Sequence, residues 1–115
     1  MAIQALRGIA AEWYTPSNEE GEDSPTRFKI KPLTPPQLES VMVLSDAGNI
    51  TIPLKNYREV LKMGLVDWEN FNDPDSEQPI RVGLANQDRI PSTIRIEIGA
   101  EIISRSSMSG DQEKN

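Results

Sequence analysis

Residues 90–103 read IPSTIRIEIGAEII, and whether they form a helix or a strand decides what kind of domain this is. Ile94, Ile98 and Ile102 lie four apart, the spacing of one helix face, while Ile94, Ile96 and Ile98 also alternate as a strand would. Length arbitrates. The apolar pattern runs on to Ile103, longer than a typical strand, so the segment is expected to be helical. Pro91 and Ser92 offer a start. Gly99 opposes the helix by about 1 kcal/mol relative to Ala. Ile96 and Ile103 would flank the main row and make the helix apolar over a broad arc. Such an arc closes the domain's own core, or offers a surface to a partner if it exceeds what one small core can cover.

Upstream of this segment, residues 78–90 read as irregular, with room for a short strand at Ile80-Arg81-Val82. Before them stands Leu65-Val66-Asp67-Trp68-Glu69-Asn70-Phe71, where Trp68 and Phe71 are expected to cap the core. A helix over about 53–63 is predicted from Pro53 at its first position and from Leu54, Tyr57 and Leu61 at helical spacing, with Val60 to one side. Lys62 falls in its last turn, and Gly64 sits where a C-terminal glycine belongs. Another helix starts at Thr34. Thr34 is a good N-cap, Pro35 suits the first position, and Gln37 completes a capping box. Leu38, Val41 and Met42 form its inward stripe, and the turn chemistry of Asp46-Ala47-Gly48-Asn49 ends it.

Residues 26–33, TRFKIKPL, alternate as a half-buried strand, with Phe28 and Ile30 on one side and Arg27, Lys29 and Lys31 on the other. The basic side could meet the acidic stretch 16–25, PSNEEGEDSP, which reads as an exposed loop. In residues 3–14, Ile3, Leu6, Ile9, Ala10 and Trp13 have helical spacing, but Gly8 interrupts it and Trp13-Tyr14-Thr15 suits a strand. The chain from Ser104 on is polar. The expected architecture is therefore α+β but mostly α: a small helical domain with a short N-terminal strand or hairpin. Its parts would be an N-terminal segment with the acidic loop (1–25), a helical core (26–108) and a flexible polar tail (109–115).

Composition narrows the function. A length of 115 residues fits one domain. With no cysteine, disulfides and thiolate metal sites are excluded. With no histidine, the commonest general base and transition-metal ligand are missing. No Gly-rich phosphate loop, nucleophile elbow or nucleophile–base pairing is visible, so no enzyme and no cofactor are expected. Asp73, Asp75 and Glu77 alternate like the start of a calcium loop, but its turn glycine and closing glutamate are absent. A net charge of −6 disfavours nucleic acid as a partner. No apolar run approaches the roughly 18 residues of a membrane span, and the N-terminal stretch does not read as a signal peptide, so a membrane partner is not expected.

One resemblance covers residues 26–108. Phe28-Lys29-Ile30-Lys31-Pro32-Leu33 leads straight into Thr34-Pro35-Pro36-Gln37. A second helix ends in Leu65-Val66-Asp67-Trp68-Glu69-Asn70-Phe71, and a closing segment runs from Ile90-Pro91 to Glu101-Ile102-Ile103-Ser104. This order resembles the tail assembly chaperones of long-tailed bacteriophages. The resemblance implies a small acidic protein of the host cytoplasm that binds the aggregation-prone tape-measure protein and recruits the major tail protein. It also admits a homo-oligomer. On that reading Leu61, Trp68, Ile94, Ile98 and Ile102 form, or support, an apolar groove for a tape-measure helix. Two other readings stand beside it: an acidic phage-encoded inhibitor mimicking DNA toward a host nucleic-acid-binding protein, and a structural tail or connector subunit.

Overall fold

A computed structural model of the chain describes residues 10–111. In chain order the elements are β1 (Glu12–Tyr14), β2 (Arg27–Ile30), α1 (Pro35–Val41), β3 (Val43–Leu44), β4 (Ile50–Thr51), α2 (Tyr57–Gly64), β5 (Leu65–Glu69), α3 (Leu84–Gln87) and α4 (Ser92–Asp111). Strands β1, β2 and β5 form an antiparallel sheet with β2 at its centre, and β3 and β4 form a separate hairpin.

The domain is thus a roughly balanced α+β fold, 41% helix and 19% strand, and not the mostly helical domain with a short N-terminal strand or hairpin that the sequence predicts. Two causes account for the difference. Strand β5 carries a bulge: Asp67 faces Lys29, but Leu65 faces Ile30, so Val66 is the extra residue. The bulge turns both Leu65 and Trp68 inward at an odd spacing, which hides the period-two signal of a strand. The β3–β4 hairpin also leaves no pattern in the sequence. Its strands have two residues each, and all four side chains are exposed, so no inward pattern betrays them.

The N-terminal part of the chain is tied to the sheet through Trp13-Tyr14, as those residues suggest. The helical spacing of Ile3, Leu6 and Ile9 lies outside the described residues. The basic side of β2 does not meet the acidic loop. Arg27 pairs with Glu69 across the sheet, Lys29 lies opposite Asp67, and both cations stand over the Trp13 ring, at 5.2 and 5.8 Å from its centroid.

The other face of the sheet is the core. Phe28, Ile30, Leu65 and Trp68 meet Val60 and Leu61 of α2 and Ile98 and Ile102 of α4, with Leu33, Val41 and Ile90 closing the edges. Trp68 stacks edge-on against Phe28 and Phe71, and its Nε1–H donates to the Ile80 carbonyl at 2.8 Å, which holds the 70–80 loop against the sheet.

Helix α1 starts as its sequence predicts. The Thr34 side chain accepts from the Gln37 N–H, the Gln37 side chain accepts from the Thr34 N–H, and Pro35 follows. Helix α2 ends differently. Gly64 is its last residue and takes no left-handed cap conformation, and the chain passes directly into β5. Glycine is needed there for approach. A Cβ would stand 2.8 and 2.9 Å from Ile102 Cγ2 and Cδ1 and 3.1 Å from the Lys31 carbonyl oxygen. The Gly64 carbonyl in turn accepts from the Lys31 N–H at 2.8 Å, fastening the helix end to the end of β2. Gly99 serves a similar purpose inside α4, where a Cβ would meet the Tyr57 ring at 2.6 Å. The helix reaches Asp111, past the start expected for a flexible tail at 109.

Candidate functional site

The 3-10 turn Leu54–Asn56 and α2 lie along the N-terminal half of α4, and the link from α3 to α4 closes one end. Between them opens a groove of about 330 Å³. Its floor is Leu61, 2% exposed, beside the half-buried Tyr57 ring held by Gly99. Its apolar lips are Leu54, 61% exposed, and Ile96, 43% exposed.

The groove is cationic. Lys55, Arg58 and Arg95 line it, against the single carboxylate of Asp88. Arg58 Nη2 donates to Asp88 Oδ2 at 2.8 Å, while Arg95 Nη1 reaches Asp88 Oδ1 only at 3.8 Å. Arg95 Nη2 makes a long contact of 3.4 Å to Ser92 Oγ, and its Nε is buried without any partner. Lys55 joins no ion pair among the described residues. The groove wall is completed by Gln87, buried, whose side-chain amide donates to the Leu61 carbonyl at 3.4 Å.

A second exposed apolar feature precedes the groove in the chain. On the β3–β4 hairpin, Leu44 faces Ile50 and Val43 faces Thr51. Leu44 is 68% exposed, Ile50 62% and Val43 43%. The hairpin closes through Ser45 N–H to the Asn49 carbonyl at 2.7 Å, with Gly48 at φ +86° in the turn. Between this hairpin and the groove lip at Leu54 the chain turns inward once, at Ile52, which packs against the core.

The residues expected to bind a partner are placed differently from one another. Leu61 forms the groove floor. Trp68, Ile98 and Ile102 lie inside the closed core, and Ile94 is half-buried against it. The isoleucine row of α4 covers the sheet and α2, so it does not line an open groove. The accessible apolar residues of the groove are instead Leu54 and Ile96. Sequence pattern assigned Leu54 to the inward row of a helix from residue 53, but it sits in a 3-10 turn before α2, out of phase with Tyr57 and Leu61. Ile96, as a flank of the α4 row, was the one readable signal.

A carboxylate elsewhere is structural. Glu97 accepts from the Tyr14 hydroxyl, from the Ser17 N–H at 2.8 Å and from the Ser17 hydroxyl at 3.2 Å. Burial works against its charge, but these bonds outweigh it and hold the Glu97 pKa below the usual carboxylate range. Burial, and next the Glu97 bond, push the Tyr14 pKa far up, so its hydroxyl remains a donor. The pair fastens β1 to α4. In the acidic 67–77 stretch, Asp73 bonds to Arg89 at 2.6 Å and to the N–H groups of Asp75 and Ser76. Among the described residues no three carboxylates converge as metal ligands, and no helix is long and apolar enough to cross a membrane.

Comparison with family models, curated proteins and solved structures finds no match to the chain.

Proposed function

We propose that the chain is a non-catalytic tail assembly chaperone of a long-tailed bacteriophage, binding the tape-measure protein in the host cytoplasm and helping to recruit the major tail protein. The observation that carries this reading is the set of exposed apolar side chains Val43, Leu44 and Ile50 on the hairpin and Leu54 at the lip of the groove between α2 and α4. A two-stranded hairpin is marginal alone in water, and one that exposes leucine and isoleucine is suited to burial against another chain. Tape-measure proteins are long and helical, and a helix presenting an apolar stripe can lay it into such a groove. The net charge of −6 would keep the complex soluble. The order of sequence phrases across 26–108 supports the same assignment.

The DNA-mimic alternative needs free carboxylates. Glu69 and Asp73 are engaged by Arg27 and Arg89, while Glu20, Glu22, Asp23, Asp75 and Glu77 join no ion pair among the described residues, so the salt dependence of binding is what separates the two readings.

Co-expression with the tape-measure protein, at low and high salt, tests the proposal. The expected result is that the tape-measure protein stays soluble only with this chain, at either salt. A Leu44→Ser/Ile50→Ser variant should fold normally and lose that effect, because both residues are solvent-exposed in the free protein. A tape-measure protein that is soluble alone and forms no complex refutes the assignment.

A further inference from the structure

We infer that the groove between α2 and α4 selects an acidic amphipathic helix, seating apolar side chains between Leu54 and Ile96 and carboxylates over Lys55, Arg58 and Arg95. The inference rests on the protein-binding reading above and names the chemistry of the partner segment.

Charge complementarity is the first argument. The chain as a whole carries −6, yet three cations and one carboxylate line this groove. The net charge of −6 repels an acidic segment at long range, so such a segment gains only at short range, by contacting the groove cations directly. The partnership inside the groove is also incomplete. Asp88 satisfies Arg58 at 2.8 Å but stands 3.8 Å from Arg95. Arg95 Nε is buried and unpaired, which is uncommon for a guanidinium, because its five donors normally find acceptors. The Arg95 side chain is still one-third exposed, at 33%, so an incoming carboxylate can reach its terminal nitrogens, which hold only the 3.8 Å contact to Asp88 and the 3.4 Å contact to Ser92. Lys55, which pairs with no described residue, offers a second cation beside the apolar lip at Leu54.

The apolar half argues for a peptide over a small anion. Leu54 and Ile96, both exposed, share the groove lining with the cations, and the half-buried Tyr57 and buried Leu61 complete its apolar part. A helix with apolar residues at i and i+3 or i+4 and acids beside that row matches this layout.

The test is selection from a random displayed peptide library with the full chain as bait. The enriched peptides are then synthesised, their affinities measured by fluorescence anisotropy, and their sites mapped by amide chemical shifts. The expected peptides combine Leu, Ile or Phe at helical spacing with flanking Asp or Glu, and shift Leu54, Arg95 and Ile96. Replacing the peptide acids with Gln, or introducing Arg95→Gln, should weaken binding about tenfold. Arg58→Gln, at a side chain 66% exposed, gives a second variant with little bearing on folding. Neutral apolar peptides seated in the groove, or equal binding by the wild type and both variants, overturn acidic selectivity while leaving apolar capture intact. Failure to enrich any groove-binding peptide also overturns it, as does a short single-stranded oligonucleotide that binds these cations more tightly than any peptide. Acidic peptides that bind while the tape-measure co-expression fails would sink the chaperone assignment alone.

Discussion

Replacing Ser106 with alanine should destabilise the domain by removing the acceptor of a buried backbone N–H. Ser106 lies on α4 and is 8% exposed. Its hydroxyl accepts from the Leu33 N–H at 2.7 Å and donates to the Ile102 carbonyl at 2.6 Å. Leu33 is 2% exposed, where the chain turns from β2 toward α1, so water cannot replace the lost acceptor. A buried donor left unmade costs about 1–3 kcal/mol. The Ile102 carbonyl loses less, since it also belongs to the helix ladder. Alanine is the better helix former by about 0.5 kcal/mol, which offsets part of the loss. The net expectation is about 1–2 kcal/mol. For a chain of 115 residues each kcal/mol moves the midpoint of melting by about 4 °C, giving a fall of roughly 4–8 °C. Thermal melts followed by circular dichroism, with urea denaturation alongside, read this directly. Ser104→Ala, at an exposed position on the same helix, isolates propensity and should be neutral or slightly stabilising. If Ser106→Ala melts at or above the Ser104→Ala protein, the Leu33 bond contributes nothing and the reasoning fails.

Gly64→Ala should also destabilise, by about 1–2 kcal/mol. Overpacking costs about 1–3 kcal/mol, and a helix-propensity gain of up to about 1 kcal/mol only partly offsets it. The clash is with the fully buried Ile102 and with backbone, neither of which swings aside; a variant more stable than wild type in urea would show that the contact relaxes freely. Asp73 should titrate at about 2, below its ordinary 3.8, because Arg89 and then the Ser76 and Asp75 N–H groups bond to its charged form. Its contribution to stability is therefore present above pH 3.8 and lost as the pH falls through about 2. Carbon-detected titration of the carboxyl group should show the Arg89→Gln protein shifted back toward 3.8, and an unchanged midpoint would remove Arg89 as the main cause.

What the sequence made legible follows from which signals are local. The Thr34 capping box, the Phe28 and Ile30 alternation and the helical state of the isoleucine-rich segment depend on neighbours in the chain and are found as the pattern predicts, although the helix continues past Ile103 to Asp111. Strand β5 was hidden because the bulge at Val66 breaks its alternation, and the hairpin because its side chains face solvent. The site was harder still. Leu61, Trp68, Ile94, Ile98 and Ile102 were grouped by spacing along helices, but spacing cannot distinguish a row facing the core from one facing a partner. Only the packed sheet decides that, by covering Ile98 and Ile102. Arg58 and Arg95 carry no local signal at all. They come together because α2 and α4 pack side by side, which is a property of the tertiary fold.

The direct passage from α2 into β5 also limits where this chain can change in length. A residue inserted at 64/65 would have to extend α2, turning its buried face by about 100° for one residue, or slide β5 by one position. Sliding would bring Asp67 opposite Phe28 and move Trp68 opposite Arg27, on the other face of the sheet. Neither shift can be absorbed, because no linker residue stands between the two elements. Insertions, affinity tags and spectroscopic labels therefore belong in the exposed stretches near 20–24 and 74–79, and the α2–β5 segment acts as a fixed-length ruler holding the groove over the sheet.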